Sequence, residues 1–125
     1  MGERAHQAAV VAVVDAVSNV AAYAVDDVPV APPRIYVEVH VARRFGAPLR
    51  PCGARQGSAW RITTRVVGSS VDEVLWGREK VAGVLDDRRV TVSGVPSKPV
   101  RFESETFVED DDGWYSGATN WTYWL

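Results

Sequence analysis

Residues 59–75 read AWRITTRVVGSSVDEVL, and they decide the fold because a strand, a turn and a helix start follow one another there without a gap. Apolar and polar side chains alternate from Ala59 to Val67, which is typical of a strand with one buried face. Gly68 marks the turn. Ser70 and Glu73 have the spacing of a capping box, in which the serine oxygen accepts from the N3 amide and the glutamate reaches back to the cap amide. Apolar residues then continue at helical spacing, which predicts a helix to about Leu85.

The sequence before this stretch predicts one helix and one strand. Valines recur at spacings of three and four within residues 3–23, which indicates an amphipathic helix. Three prolines end any helix soon afterwards: Pro29, Pro32 and Pro33. Alternation from Arg34 to Val41 predicts a strand, and a loop with several glycines and prolines follows over residues 42–58. This loop would form the tip of a hairpin extension.

Three further strands are predicted after the second helix, over residues 90–93, 99–108 and 116–125. The complete order is α-β-β-α-β-β-β. Short connections between successive strands favour a mainly antiparallel sheet of four to five strands, with two helices packed on one face. We therefore expect an α+β fold, built as a single domain over residues 1–125, a length that is typical of one domain.

Segregated charge is the strongest functional signal. The loop over residues 42–58 contains arginines and no acidic residue: Arg43, Arg44, Arg50 and Arg55. These arginines would suit a polyanion or an acidic partner surface, and a solvated loop tip is the alternative. The acidic residues cluster elsewhere, mainly in the run Glu109, Asp110, Asp111 and Asp112. Unlike charges on separate loops would suit head-to-tail association of copies.

The sequence contains no obvious catalytic or metal-binding constellation. His6 is expected near a frayed helix terminus and His40 on the polar face of a strand, and neither has cysteine or carboxylate neighbours at metal-ligand spacing. Cys52 lies among arginines that would lower its thiol pKa, but no base can be assigned to it. The acidic run lacks the alternating ligands of a calcium loop. We therefore expect no catalytic, cofactor-binding or metal-binding residues.

The last predicted strand carries much aromatic surface. Alternation places Trp121, Tyr123 and Leu125 on one face and Trp124 on the other. If the first face packs on the helices, the second needs a cover, which makes Trp124 a candidate interface residue. A net charge of −2 argues against a general nucleic-acid coat or a membrane-surface binder. No apolar run reaches the roughly 20 residues of a membrane span.

Several segments combine into one pattern of elements and turns: Ile35–Val39, Val66–Trp76, Lys80–Leu85, Val92–Gly94, Pro99–Glu103 and Asp110–Asp112. With this pattern, which covers almost the whole chain, the sequence resembles the tail terminator proteins of long, non-contractile-tailed bacteriophages, especially those that infect actinobacteria. The pattern consists of elements and turns rather than of catalytic residues.

The resemblance implies a structural virion protein without enzymatic activity or cofactor. It implies a ring, typically of six copies, that caps the finished tail tube, stops its polymerisation and joins it to the head's neck proteins. DNA would pass through the bore without sequence-specific binding. The protein would assemble in the host cytoplasm and lie at the head-proximal end of the virion tail, with no membrane partner.

The residues also leave three alternatives open. The first is a head–tail connector or stopper protein, which has a similar size and also forms rings. The second is a small ferredoxin-like enzyme that uses Cys52 or a pocket lined by Trp60 and Trp121. The third is a nucleic-acid-binding module that uses the arginine loop, although Phe45 is the loop's only aromatic residue.

Overall fold

The computed structural model describes residues 2–17, 19–44 and 58–125, with Asp111 described by its backbone alone. Two helices and eight strands follow one another along these residues. Their bounds, in chain order, are α1 Glu3–Asp15, β1 Ala21–Ala24, β2 Tyr36–Arg43, β3 Ala59–Gly68, α2 Val71–Leu85, β4 Arg89–Val92, β5 Val95–Pro99, β6 Arg101–Glu105, β7 Glu109–Asp111 and β8 Trp114–Trp124.

Six of these strands form one sheet in the order β1-β2-β3-β8-β6, with β7 also paired to β8. β1 runs parallel to β2, and all the other neighbours are antiparallel. β4 and β5 form a separate two-stranded sheet. The α+β class and the mainly antiparallel sheet are therefore confirmed. The expected number of four to five sheet strands was too low.

One face of the sheet builds the core. In β2 the buried side chains are Val37, Val39 and Val41, which lie opposite Val66, Thr64 and Ile62 of β3. Trp121 and Tyr123 continue the same buried face on β8. Val10 and Val14 of α1 and Val74, Val81 and Leu85 of α2 pack into the same cluster. Burial of such a continuous apolar layer is the main source of stability in a chain of this size.

The start of α2 confirms the predicted cap and changes one of its partners. The Oγ atom of Ser70 accepts from the backbone N of Glu73 at 3.2 Å. The Glu73 carboxylate accepts from the backbone N of Ser69 at 2.8 Å, whereas the capping-box pattern assigns it to Ser70. The glutamate also pairs with Arg34 at 2.6 Å. These hydrogen bonds hold the pKa of Glu73 below its usual value, mainly through Ser69.

The first helix is shorter than predicted. It ends at Asp15 rather than near Tyr23, and Ala21–Ala24 forms β1. Asn19 has a φ of 65°, a left-handed conformation that does not continue a right-handed helix. Oδ1 of Asp15 accepts from the backbone N of Ala22 at 3.1 Å and so fixes the start of the strand. Alanines that favour helix by propensity are therefore held in a strand by pairing with β2.

The predicted strand over residues 99–108 is also divided. β5 ends at Pro99 and β6 begins at Arg101, so the two strands pair with different neighbours. The acidic segment is itself a strand, β7, rather than only a turn. The observed order is thus α-β-β-β-α-β-β-β-β-β in place of the predicted α-β-β-α-β-β-β.

Two glycines allow α2 to lie close to the sheet. A Cβ atom on Gly77 would lie 2.5 Å from Cγ1 of Val66, and one on Gly117 would meet the guanidinium group of Arg78. The helix therefore packs directly on β3 at Gly77, and the Arg78 side chain lies against β8 at Gly117. Neither of the two described helices is both long and apolar enough to cross a membrane.

Candidate assembly surface

The basic end of the molecule is built by the β2–β3 pair. These strands are antiparallel as predicted, and Arg43 pairs with Trp60 at the last described position of the ladder. The Arg43 guanidinium lies over the Trp60 ring, 5.4 Å from its centroid. The backbone N of Arg44 donates to the carbonyl of Ala59 at 2.8 Å. Arg50, Arg55 and Cys52 lie outside the described residues, as does most of the loop over residues 42–58.

Arg44 is already bound within its own subunit. Its Nη2 atom lies 3.4 Å from Oε1 of Glu103, and its Nη1 atom donates to Oγ1 of Thr122 at 3.3 Å. Glu103 also accepts from Arg61 at 2.7 Å and from Oγ1 of Thr122 at 2.6 Å. The hydrogen bond from Arg61, followed by the one from Thr122, holds the pKa of Glu103 below its usual value. Glu103 therefore belongs to the open polar face of the sheet, which residue type alone did not reveal.

The acidic end is a tight hairpin made by β7 and β8. Glu109, Asp110 and Asp111 pair with Ser116, Tyr115 and Trp114. Asp112 and Gly113 connect the strands with φ values of 51° and 85°. Positive φ at both central residues defines a type I′ turn, for which Asp-Gly is a favoured pair because glycine adopts this conformation at little cost.

A side-chain hydrogen bond closes the turn of the acidic hairpin, and three of its carboxylates face solvent. Oδ1 of Asp110 accepts from the backbone N of Gly113 at 3.3 Å. Glu109, Asp110 and Asp112 are exposed. The surface therefore combines a fixed backbone with solvent-facing carboxylates, an arrangement that can recognise arginine side chains.

The basic and acidic ends lie at opposite ends of β8. Trp124 pairs with Ala59 beside the basic end, whereas Trp114 pairs with Asp111 in the acidic hairpin. Ten residue steps at about 3.3 Å separate these tryptophans, which gives a distance of about 33 Å. The chain thus presents unlike charges at two distant places, a geometry compatible with head-to-tail contacts between copies.

Trp124 is half-buried beside the basic end. The neighbouring Trp121 and Tyr123 are buried in the core on the opposite face of β8. The sequence interpretation placed Trp124 on the face away from the helices, and the burial pattern along β8 agrees with that placement. Its role at an interface stays a prediction.

The expectation for His6 was wrong. This histidine is buried, with 1% of its surface exposed, rather than lying at a frayed terminus. Its ring stacks on Trp60 with centroids 3.6 Å apart, and Nδ1 is hydrogen-bonded to the hydroxyl group of Tyr123 at 2.6 Å. Burial lowers the pKa of His6, and the charge of Arg43 adds to this effect. Its position on the apolar face of α1, beside Val10 and Val14, is the signal that sequence reasoning missed.

The pocket suggested for an enzyme is filled by the protein itself. Trp60 and Trp121 are each 2% exposed and lie in the core. Nε1 of Trp121 donates to Oγ1 of Thr64 at 3.3 Å, which ties the ring between β3 and β8. Within residues 2–17, 19–44 and 58–125, no three His, Cys, Asp or Glu side chains form a group that could hold a metal ion.

A groove of about 770 Å³ lies between α1 and the outer side of β1. Small residues line it, among them Ala8, Ala12 and Ala24. Asp15 also borders the groove, but its Oδ1 atom is engaged by the backbone of Ala22. The groove is a feature of the sheet edge that Arg4, Asp26 and Asp27 also border.

Phe107 is a surface residue that sequence reasoning did not single out. Its side chain is 91% exposed in the link between β6 and β7. In the predicted strand over residues 99–108, alternation places Phe107 on the same side as Arg101, Glu103 and Glu105. An aromatic residue at a polar position of a strand is the signal that could have identified it.

The fold is similar to those of two solved structures. One is a chain from the virion of a native gene transfer agent particle, with a TM-score of 0.66 and 13% identity, over 92% of this chain and 82% of that chain. The other carries a name without functional description; it has a TM-score of 0.63 and 14% identity, over 98% of this chain and 94% of that chain. No protein-family model and no curated protein matches the sequence. At these identities the likeness establishes a common fold.

Proposed function

We propose that this chain is a structural protein of a phage-like virion and that it acts as a tail terminator. The observation that carries the proposal is the likeness, over nearly the whole chain, to a chain from a gene transfer agent virion. The sequence resemblance to tail terminators supports the same reading independently. In this role the protein has no catalytic step and needs no cofactor.

The proposed action is mechanical. Copies of the chain form a ring of six that binds the last ring of the tail tube and prevents addition of another tube subunit. The opposite side of the ring receives a head–tail connector or neck protein, and DNA passes through the bore without sequence-specific contacts. The protein acts at the head-proximal end of the tail after assembly in the host cytoplasm.

Charge segregation supports this assembly. Arg43 lies at one end of β8 and the Glu109–Asp112 hairpin at the other, so each copy can offer a basic end to the acidic end of a neighbour. We assign the interface to these residues together with Arg44, Arg50, Arg55 and Trp124. Because Arg44 is bound to Glu103, we expect Arg43, Arg50 and Arg55 to carry most of the intermolecular attraction.

Deletion of the gene tests the proposal directly. Particles made without the protein should have tail tubes of irregular, extended length in electron micrographs, and supply of the protein in trans should restore uniform tails. Tubes of normal length that stay separate from heads would instead indicate a connector. Complete, infectious particles would contradict both roles.

A second experiment measures assembly itself. Sedimentation of the purified protein should be recorded alone and with the tail tube protein encoded in the same genome. A tail terminator should bind tube ends and reduce further growth of the tube, whether or not the free protein is monomeric. Tube growth that is unaffected by an excess of the protein would reject the role.

A further inference from the structure

The link between β6 and β7 exposes the side chain of Phe107 almost completely. Its 91% exposure contrasts with the next residue, Val108, which packs partly against the core. An aromatic side chain of this size gains much from burial at an interface and adds nothing to the core of the isolated chain. Its exposure therefore calls for an explanation outside the monomer.

The backbone beside Phe107 is firmly held. The N atom of Thr106 donates to the carbonyl of Ala118 at 2.8 Å, and Oγ1 of Thr106 accepts from the N atom of Ala118 at 3.0 Å. The carbonyl of Thr106 also accepts from Nη2 of Arg78, which reaches it from α2. Phe107 is thus presented by a fixed backbone, and such preorganisation lowers the entropic cost of docking.

The flank of α2 that reaches this link through Arg78 also carries exposed apolar side chains. Val71, Leu75 and Arg78 follow at positions i, i+4 and i+7, so they share one side of the helix. Arg78 reaches Thr106 from that side, while Val71 and Leu75 are each 45% exposed. We call Phe107, Val71 and Leu75 the Phe107 patch.

Acidic residues border the Phe107 patch. Glu105 and Glu109 lie two positions before and after Phe107 and are both exposed. From Phe102 to Leu125 the sequence contains acidic residues but no lysine or arginine. A fitting occupant therefore combines apolar and basic side chains. The chain itself contains such a segment from Arg43 to Arg55, with Phe45 and Leu49 among its arginines.

We infer that the Phe107 patch binds a second copy of this chain, which approaches with its basic end. This inference rests on the proposed function and identifies the acidic side of the contact between copies. Phe107 is the apolar anchor, and Glu105 and Glu109 receive arginines of the neighbour. The contact is heterologous, because the basic end and the Phe107 patch are different surfaces of each copy.

Replacement of one exposed side chain tests the anchor. Phe107→Ser should weaken association between copies about tenfold or more, as expected for an interface hot spot. Val30→Ser is the matched control, since Val30 is an apolar residue with a fully exposed side chain in the segment between β1 and β2. Both variants should keep the wild-type melting temperature, because neither side chain is buried. Sedimentation should be recorded with and without the tube protein.

Charge reversal tests the partner. The pair Glu105→Lys and Glu109→Lys should weaken association, and adding Arg43→Glu and Arg50→Glu to the same chain should restore it. A photoreactive benzoylphenylalanine at position 107 should form cross-links to residues 43–57 of another copy. Mixing isotopically light and heavy protein shows whether a cross-link joins two copies. Cross-links confined to the same copy or to the tube protein would overturn the inference.

The proposed function and the Phe107 contact can be rejected separately. If wild-type protein forms no assembly with or without the tube protein, the proposed function fails and the inference fails with it. If wild-type protein assembles and Phe107→Ser assembles equally well, the proposed function stands and the Phe107 contact is rejected.

Discussion

Nδ1 of His6 lies 2.6 Å from the hydroxyl oxygen of Tyr123, although 117 positions separate the two residues in the sequence. This hydrogen bond joins the first helix to the last strand inside the core. The stacking of His6 on Trp60 adds β3 to the same cluster. A titratable ring is therefore buried where the two ends of the described fold meet.

Acidification should destabilise the protein through His6. Its folded-state pKa is lowered from the ordinary value of 6.5, so the unfolded chain binds the proton more readily. The stabilisation is complete above that value and is lost as the pH falls towards the folded-state pKa. We expect the melting temperature to decline between about pH 7 and 5, before the carboxylates titrate.

The two histidines allow a matched comparison for this pH dependence. His6→Gln should flatten the decline, whereas His40→Gln should leave it unchanged because His40 is exposed on β2. Scanning calorimetry across the pH range measures both. An equal slope in the wild type and in His6→Gln would contradict the assignment.

Gly77 and Gly83 on α2 should respond to alanine in opposite directions. A Cβ on Gly77 would meet Val66 at 2.5 Å, so Gly77→Ala should cost about 1–3 kcal/mol in the free energy of unfolding. A Cβ on Gly83 has nothing within 4 Å, so Gly83→Ala should gain about 0.5–1 kcal/mol from helix propensity. Urea denaturation measures both changes, and a neutral Gly77→Ala would show that α2 can move away from β3.

Removal of the basic end should weaken assembly more than stability. Replacing Arg43, Arg44, Arg50 and Arg55 by serine removes two described contacts. One is the partly exposed Arg44–Glu103 pair, which contributes less than about 1 kcal/mol to stability. The other is the contact of Arg43 with the Trp60 ring, which contributes about 0.5–1 kcal/mol. Co-sedimentation with tube and with wild-type copies should decrease strongly. The control variant loses the same number of positive charges at exposed positions elsewhere. In it, four residues are replaced by serine: Arg4, Lys80, Arg88 and Lys98. Equal losses in both variants would indicate a general charge effect.

Neutralisation of the acidic hairpin should weaken assembly without changing the backbone of the hairpin. The variant carries glutamine at position 109 and asparagine at positions 110, 111 and 112, so all four negative charges are removed. Asparagine tolerates the positive φ of position 112. Stability should stay within about 0.5 kcal/mol, while assembly should weaken.

Gly113→Ala is the complementary change: it keeps every charge but strains a residue at φ 85°, so it should destabilise the hairpin by about 1–2 kcal/mol. Native mass spectrometry and thermal unfolding report these two effects separately.

Local patterns predicted those elements whose form depends on nearby residues. The alternation of Ala59–Val67 and the cap at Ser70 both appear in the structure, because a pleat and a helix start are determined within a few residues. β1 was missed since four residues, Ala21–Ala24, are held in a strand by their ladder with β2 and by the hydrogen bond from the Ala22 backbone to Asp15. Tertiary pairing outweighed the helix propensity of alanine.

The sequence predicted which segments of the candidate surface carry positive and negative charge, but it did not predict which residues these side chains contact. Arginines and carboxylates could be assigned to separate segments from residue type alone. Their separation along β8 depends on the strand order, and the binding of Arg44 by Glu103 depends on the β3–β8–β6 register. The exposure of Phe107 was not predicted because a strand was expected to continue through Thr106. In the structure, Thr106 and Phe107 lie in the link between β6 and β7, and the ring is exposed to solvent.

The position of β8 between β3 and β6–β7 has a consequence for synthesis on the ribosome. β8 is synthesised after β3, β6 and β7, the three strands with which it pairs. Until β8 is made, the edges of these strands that will face it have no partner in the nascent chain. Such unpaired edges attract other chains. Cooperative folding therefore has to wait until β8 has left the exit tunnel, and expression at lower temperature or with a holding chaperone should raise the yield of correctly folded protein.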